Sequence, residues 1–169
     1  MKNTIINIGL INPKSPSNVG SVLRASGCFQ ADKIFYTGVR FERAAQFNTD
    51  TQSVEGYVSL KGVDDLYSTV EYGTEVVCVD LVEGATSLPD FKHPEKALYV
   101  FGPEDGTISQ DIVNKADHVV YIPTIGCLNL AASVNVVLYD RVAKLKPFTA
   151  NDDLIRESRD INNHRKVNK

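Results

Sequence analysis

The stretch T-I-I-N-I-G-L-I-N-P-K-S-P-S-N-V-G-S-V-L-R-A-S-G-C-F, residues 4–29, joins a strand pattern to a helix pattern through a short polar break. Residues 4–11 are apolar and rich in β-branched side chains, which predicts a buried strand that ends at Asn12 and Pro13. Serines then offer helix N-caps, and apolar residues follow at helical spacing, which predicts a helix over residues 18–29. A strand, a loop and a helix in this order form the unit from which parallel sheets are built.

The same alternation continues along the chain and predicts an α/β fold, with a parallel sheet covered on both faces by helices. Further strands are predicted over residues 33–37, 75–81, 97–101 and 119–122, helices over 63–70, 109–116 and 128–145, and a loop with a short helix near 43–47 over 38–61. The last of these helices is apolar on most sides and lacks Gly and Pro, so we expect burial on several faces. Residues 1–147 are predicted to form one domain, and 148–169 a polar tail that is either a charged helix or partly disordered.

Composition narrows the function classes. No apolar run approaches the roughly 20 residues of a membrane helix, and the first residues lack a signal-peptide pattern, so we expect a cytoplasmic protein without membrane contact. The cysteines and histidines are too scattered for a disulfide framework or a zinc site, so we expect no metal. These residues are Cys28, Cys78, Cys127, His93, His118 and His164.

Charge is unevenly distributed. The net charge of −3 would argue against a nucleic-acid partner, because Lys and Arg supply most of the affinity for phosphates. Residues 1–50, however, carry six basic side chains against three acidic ones. This block permits a basic face for RNA that includes Arg24, Arg40 and Arg43, although a modest charge block is also typical of ordinary solvated surface.

Three segments follow predicted strands, at the sheet edge where open α/β folds bind ligands. In the first, N-V-G-S-V-L-R (residues 18–24), Gly20 and Arg24 are neighbours on one helix face, and an arginine fork suits a phosphate. The alternative is an exposed helix arginine beside an unremarkable glycine. The second is F-G-P-E-D-G (101–106), and the third is Y-I-P-T-I-G-C-L-N (121–129), whose last residue could simply cap the following helix.

Together and in this order, the segments resemble the three motifs of the SpoU (TrmH) family in the SPOUT superfamily of RNA methyltransferases. The first motif, N-x-G-x-x-x-R, is matched by Asn18, Gly20 and Arg24; the second by Gly102, Glu104 and Gly106; the third by Ile122, Pro123, Leu128 and Asn129. The resemblance spans residues 4–145. Two departures stand out: the second motif is one residue shorter, and only three residues separate Pro123 from Cys127, which replaces a serine.

The resemblance implies an S-adenosylmethionine-dependent enzyme that methylates a ribose 2′-OH of tRNA or rRNA, with tRNA favoured. It also implies a parallel sheet with a deep C-terminal trefoil knot, and a homodimer that pairs through the knot region. The apolar helix over 128–145 fits a dimer interface, although burial within one chain would produce the same pattern. The implied catalytic residues are Arg24, Asn18, Glu104 and Asn129. The implied cofactor-binding residues are Leu81, Gly84, Gly102, Glu104, Ile122, Cys127, Leu128 and Asn129.

Roles follow from chemistry beside the resemblance. A guanidinium stays protonated in proteins, so Arg24 is expected to clamp an RNA phosphate and stabilise the developing alkoxide rather than act as a base. Glu104 is expected to orient Arg24 or the cofactor, Asn129 to fix the loop or the substrate ribose. Cys127 is expected to be a packing residue.

Two other hypotheses remain. The shortened third motif leaves room for a catalytically idle RNA-binding protein that keeps the fold but does not hold the cofactor. A flavodoxin-like nucleotide or flavin module shares the α/β class, but neither G-x-G-x-x-G nor G-x-x-x-x-G-K-S/T occurs in the chain, so this hypothesis ranks last.

Overall fold

The computed structural model of the chain describes residues 4–46 and 58–167. Its centre is one seven-stranded sheet in the order β3-β2-β1-β6-β4-β7-β5, and every strand pairing is parallel. The strands are β1 (Ile5–Leu10), β2 (Lys33–Tyr36), β3 (Ser59–Gly62), β4 (Glu75–Val79), β5 (Thr86–Ser87), β6 (Lys96–Phe101) and β7 (His118–Tyr121). The α/β class with a parallel sheet is therefore confirmed.

Helices connect these strands, and their caps explain where two of them begin. The helices are α1 (Pro16–Cys28), α2 (Arg40–Ala45), α3 (Gln110–Lys115), α4 (Leu130–Leu145) and α5 (Asp152–Ser158). The Ser15 hydroxyl accepts a hydrogen bond from the Asn18 amide and so caps α1, with Pro16 in the first helical position. The side-chain oxygen of Asn129 caps α4 by accepting from the amides of Ala131 and Ala132, at 2.9 and 3.3 Å. A serine cap for α1 is confirmed, and Asn129 is found to cap α4, so the two helices begin at Pro16 and Leu130 rather than at the predicted residues 18 and 128.

Both faces of the sheet are covered, and alternate residues of the central strand β6 serve the two layers. Tyr99 and Phe101 belong to the larger core, which packs against α1 and α4. Leu98 and Val100 belong to a smaller core on the other face, with Leu66 and partly buried side chains of α3. Because β6 is buried on both faces, its sequence is almost uninterruptedly apolar, as expected for a central parallel strand.

Helix α4 is buried on one face only, so the expectation of burial on several faces is wrong for a single chain. Its buried residues recur at helical spacing: Leu130, Ala131, Val134, Val137, Leu138 and Arg141. On the opposite face, Val136 is 37% exposed and Tyr139 is 65% exposed. Periodicity could not reveal this, because the apolar residues of the outer face fill the gaps in the pattern of the inner face.

Several other predictions need correction. The stretch 38–61 is not simply a loop, because β3 begins at Ser59 and α2 begins at Arg40; residues 47–57, including the end of the helix predicted near 43–47, lie outside the described residues. Strand β3 was missed because S-L-K-G at the sheet edge contains one apolar residue. The helix predicted over 63–70 is a short 3-10 turn at Leu66–Thr69, and the two-residue strand β5 was not predicted.

The polar segment after α4 contains α5, which buries no residue. The side-chain oxygen of Asn151 caps this helix by accepting from the Leu154 amide at 3.0 Å. The division into a domain over 1–147 and a tail over 148–169 stays a prediction. None of the helices within residues 4–46 and 58–167 has the length and apolar character required to cross a membrane.

Candidate functional site

A cavity of about 250 Å³ lies at the carboxyl ends of the central strands β4, β6 and β7. The order of the strands explains its position. The chain first adds β2 and β3 on one side of β1, and the later strands β4 to β7 lie on the other side, so the connections reverse direction next to β1. Ligands of open α/β sheets bind beside such a reversal. The cavity is lined by Asn18, Val79, Asp80, Leu81, Phe101, Gly102, Pro103, Glu104, Gly106, Ile122, Thr124, Cys127, Leu128, Asn129, Leu130 and Ser133.

A series of hydrogen bonds joins the three motifs at this cavity. The Asn18 side-chain amide donates to the Glu104 carboxylate at 3.2 Å. The Asn129 side-chain amide donates to the Asn18 side-chain oxygen at 3.0 Å. Since the Asn129 oxygen already caps α4, its NH₂ group must face Asn18, and this fixes the orientation of both amides. The three residues therefore form one polar unit, which we call the Glu104–Asn18–Asn129 series.

The Glu104 carboxylate anchors the start of α1. It accepts hydrogen bonds from the backbone amides of Lys14 and Ser15, at 2.8 and 3.0 Å, besides the one from Asn18. Partial burial acts to raise the pKa of Glu104, but the hydrogen bonds from Ser15, Asn18 and Lys14 outweigh it, and the pKa is lowered. The group is therefore ionised at neutral pH, and its lone pairs are occupied. This favours a positioning role over proton transfer.

Asp80, which was not among the predicted site residues, holds another wall of the cavity. One carboxylate oxygen accepts from the Thr107 hydroxyl at 2.8 Å and from the Ile108 amide at 2.9 Å; the other accepts from the Leu81 amide at 2.7 Å. These bonds tie the end of β4 to the loop after β6. The signal in the sequence was an acidic residue that follows the apolar run of a buried strand.

The charge of the cavity selects among ligands. Two carboxylates, Asp80 and Glu104, line it, and among the described residues no lysine, arginine or histidine does. Such a cavity disfavours the phosphates of a nucleotide or flavin and suits a ligand with a positive charge, as a sulfonium carries. Apolar side chains such as Leu81 and Ile122 can cover an aromatic base. The residues present therefore fit S-adenosylmethionine.

Most predicted cofactor residues meet at this cavity. Leu81, Gly102, Glu104, Ile122, Cys127, Leu128 and Asn129 line it. Gly84 does not; it lies in the turn after β4 with a φ of 84°. Cys127 is exposed and faces the cavity, so its expected packing role is wrong. Within the described part of the chain, no group of three or more His, Cys, Asp or Glu side chains is arranged to hold a metal ion.

Arg24 lies outside the cavity. It is exposed and makes no hydrogen bond or ion pair with the described residues, so the expectation that Glu104 orients it is wrong within one chain. Helix geometry explains why Arg24 is separate from Asn18, because two residues six positions apart on an α-helix are roughly 9 Å apart along the axis and face different directions. Gly20 shares the face of Arg24, and a Cβ atom placed there would meet nothing within 4 Å.

The other predicted RNA-binding residues lie on α2. The Arg40 guanidinium donates two hydrogen bonds to the Asp105 carboxylate, at 2.8 and 3.0 Å. Arg43, one turn further, is exposed and makes no hydrogen bond or ion pair with the described residues. The structure thus keeps both arginines near the surface, but only Arg43 is without a partner in the described chain.

Residues 5–139 match the sequence model described as the SpoU rRNA Methylase family. No curated protein sequence matches the chain. The fold is similar to that of the SpoU methyltransferase AviRb from Streptomyces viridochromogenes in complex with AdoMet, with a TM-score of 0.71 and 21% identity over 87% of this chain. The chain spans 60% of the length of AviRb.

Two further solved structures share the fold. One is the TrmH/SpoU tRNA modifying enzyme of A. aeolicus, with a TM-score of 0.70 and 18% identity over 93% of this chain and 86% of the other. The other concerns 2-OH methylation of C/U34 on tRNA and has a TM-score of 0.71 and 20% identity over 85% of this chain and 92% of the other.

Proposed function

The chain belongs to the SpoU rRNA Methylase family, and on this premise we propose that it is an S-adenosylmethionine-dependent RNA methyltransferase acting on a ribose 2′-OH in the cytoplasm. The observation that carries the proposal is the Glu104–Asn18–Asn129 series, which brings all three family motifs to one cavity. We propose tRNA rather than rRNA as the substrate, since the relatives described with tRNA are covered over 86% and 92% of their own length, whereas those described with rRNA are covered over 56% and 57%.

Cofactor binding is proposed for the cavity residues. When bound there, S-adenosylmethionine supplies an electrophilic methyl group on a positively charged sulfur. Leu81, Ile122 and Leu128 would cover apolar parts of the ligand, and Asp80 and Glu104 supply the negative charge that suits it. The cavity volume of about 250 Å³ is just below the roughly 300–1,000 Å³ of typical ligand sites, so bound S-adenosylmethionine would stay partly exposed.

Arg24 is proposed to act on the RNA rather than on the cofactor. Its guanidinium stays protonated and can hold a phosphate with two parallel hydrogen bonds, or stabilise negative charge that develops on the ribose oxygen. Because Arg24 lies outside the cavity of its own chain, this role needs a second subunit that brings the two together.

We therefore propose a homodimer that pairs through α4. The outer face of α4 carries the side chains of Val136 and Tyr139, which are 37% and 65% exposed. Burying such a face against a second copy would remove apolar surface from water. We also propose the trefoil knot that the family resemblance implies. If the chain is knotted, single molecules unfolded by force will extend to less than the full contour length of the chain.

The catalytically idle RNA-binding protein remains the second candidate because the third-motif loop is open. Residues 123–129 are all exposed, and Ile125 makes no use of its apolar side chain in the fold. Calorimetric titration with S-adenosylmethionine separates the candidates: micromolar binding supports the enzyme, and no binding at millimolar concentration supports the idle protein.

The substrate is tested by nucleoside mass spectrometry of total tRNA and rRNA from a deletion strain. We expect the loss of one 2′-O-methylated nucleoside, and its return when the purified protein and S-adenosylmethionine are added to the isolated RNA. Loss of a base-methylated nucleoside instead would contradict the ribose specificity, and an unchanged set of nucleosides would contradict the methyltransferase activity.

A further inference from the structure

Two cations from different elements meet at Asp105, beside the cavity. The Arg40 guanidinium of α2 makes two parallel hydrogen bonds to the Asp105 carboxylate, one to each oxygen. The Lys14 ammonium, from the loop before α1, lies 3.9 Å from the same carboxylate. Asp105 sits between Glu104 and Gly106, which both line the cavity. The position is thus defined by two cations and borders the place where the reaction is proposed.

The geometry at Asp105 is the one by which arginine binds a phosphate. A carboxylate and a phosphodiester both offer two oxygens to the two N–H groups of the fork. The hydrogen bonds from Arg40 lower the pKa of Asp105, which keeps the carboxylate ionised and paired. The Asp105 carboxylate therefore occupies the place at the Arg40 guanidinium where two phosphate oxygens of another molecule could bind.

The pair is open to solvent. The side chains of Arg40, Asp105 and Lys14 are 29%, 53% and 66% exposed. Water and salt screen ion pairs this exposed, and a phosphodiester would regain the two-pronged geometry that the carboxylate gives up. Another anion can therefore displace the carboxylate at small cost.

We propose that Arg40 and Lys14 form a binding site for a backbone phosphate of the substrate RNA, and that Asp105 fills this site until the RNA displaces it. The inference rests on the proposed function, which supplies the RNA. Arg43 extends the same surface, since it follows Arg40 by one helical turn and is exposed. A phosphate bound here places the RNA backbone next to the loop that carries Glu104.

A different explanation gives opposite expectations. If Arg40 and Asp105 form only a strut that holds the loop, removing either partner weakens RNA binding. If Asp105 competes with RNA, removing Asp105 tightens binding and removing Arg40 weakens it. Asp105→Asn and Arg40→Ala therefore distinguish the two explanations by the sign of their effects.

The experiment measures filter binding of unfractionated tRNA to the full chain between 50 and 200 mM salt, for wild type, Asp105→Asn, Arg40→Ala and the double variant. A matched control comes from the exposed pair Lys33–Glu71, at 3.1 Å, because Lys33 begins β2 at the edge of the sheet opposite the cavity. Glu71→Gln removes the same charge as Asp105→Asn but frees a lysine far from the proposed site.

We expect Asp105→Asn to tighten tRNA binding roughly threefold to tenfold and Arg40→Ala to weaken it by a similar factor, with a salt slope smaller by roughly 0.7–0.9. The double variant should lie close to Arg40→Ala, because the competitor matters mainly through Arg40. Weaker binding in both single variants would overturn the site, as would equal tightening by Glu71→Gln. Absence of salt-dependent tRNA binding by the wild type would overturn it too.

Failure of this site and failure of the proposed function are separate results. If the wild type transfers methyl groups but both single variants weaken tRNA binding, the enzyme is supported and the phosphate site is contradicted. If Asp105→Asn tightens tRNA binding and Arg40→Ala weakens it, but the wild type does not bind S-adenosylmethionine, the phosphate site is kept and the chain is the idle RNA-binding protein.

Discussion

Asn129 donates a hydrogen bond to the side-chain oxygen of Asn18 at 3.0 Å, across 111 residues of sequence. This bond joins the first turn of α1 to the cap of α4, and Glu104 continues the series on the other side of Asn18. Two helix starts and one sheet loop are thus held in a fixed relation at the cavity. Neither asparagine needs a catalytic role to be essential for the shape of this site.

We predict that Asn18→Ala weakens S-adenosylmethionine binding by about tenfold, because two hydrogen bonds worth about 0.5–1.5 kcal/mol each are lost and Asn129 loses its partner. Calorimetry measures the affinity, and thermal melts measure the fold. Asn135→Ala is the matched control, since Asn135 also donates one side-chain hydrogen bond, to the Ala131 carbonyl, but lies outside the cavity. Equal affinity in both variants would contradict a structural role for the series in cofactor binding.

Arg24→Ala should keep both the fold and the affinity for S-adenosylmethionine, because Arg24 is exposed and does not line the cavity. Methyl transfer should fall by roughly a hundredfold or more, the scale of one preorganised electrostatic contact. Arg24→Lys should also be badly impaired, since lysine keeps the charge but loses the two-pronged geometry. Wild-type turnover by Arg24→Ala would remove this residue from the mechanism.

Gly20→Ala should stabilise the chain while it reduces activity. Gly20 lies inside α1 and a Cβ would meet nothing within 4 Å, so alanine should add about 0.5–1 kcal/mol through helix propensity. On the other hand, the methyl group would obstruct RNA or a second subunit that approaches the face shared with Arg24. Denaturant unfolding and methyl-transfer assays should move in opposite directions; Ser21→Ala, at an exposed neighbour, should leave turnover unchanged.

The two neighbours Val136 and Val137 separate association from folding. Val137 is fully buried, so Val137→Asp should destabilise the chain itself by several kcal/mol. Val136 is 37% exposed on the outer face of α4, so Val136→Asp should leave the fold intact and yield monomers. Light scattering at micromolar concentration gives the mass, and a monomeric wild type would rule out the dimer.

A buried polar network holds the other half of α4. His93 Nδ1 is 2.7 Å from the Tyr99 hydroxyl, and His93 Nε2 is 2.8 Å from Asp140. Arg141 donates to the same hydroxyl at 2.9 Å, which leaves the Tyr99 proton free to point to Nδ1. His93 is then neutral with its proton on Nε2. In this arrangement a second proton on His93 would require the Tyr99 hydroxyl to turn its own proton away from Nδ1.

This network predicts how stability depends on pH. Burial lowers the pKa of His93, the nearby Arg141 and Lys144 charges lower it further, and the hydrogen bond to Asp140 opposes them. The unfolded chain therefore binds a proton more readily than the folded chain below about pH 6.5, and stability falls as pH drops from there through the folded pKa. Urea unfolding between pH 5 and 8 measures this. His93→Gln should flatten the slope just below pH 6.5; an unchanged slope would assign it to other groups.

The sequence by itself determined the α/β class, the candidate caps of α1 and α4, and the three motifs. These features are local: a buried parallel strand must be apolar, a helix start needs a capping oxygen, and both requirements are met by neighbouring residues. The edge strand β3 and the two-residue β5 escaped prediction, because so short a strand buries too little side chain to leave a pattern.

Only the tertiary structure decided which residues of the motifs meet. Asn18 and Arg24 share one motif, but the helix between them turns Asn18 into the cavity and Arg24 away from it. Asp80 joined the site, Gly84 did not, and Arg40 was found already paired with Asp105. The outer face of α4 could be told from its inner face only once α1 and the sheet covered one of them. Each of these outcomes depends on contacts between residues far apart in sequence, which no local pattern specifies.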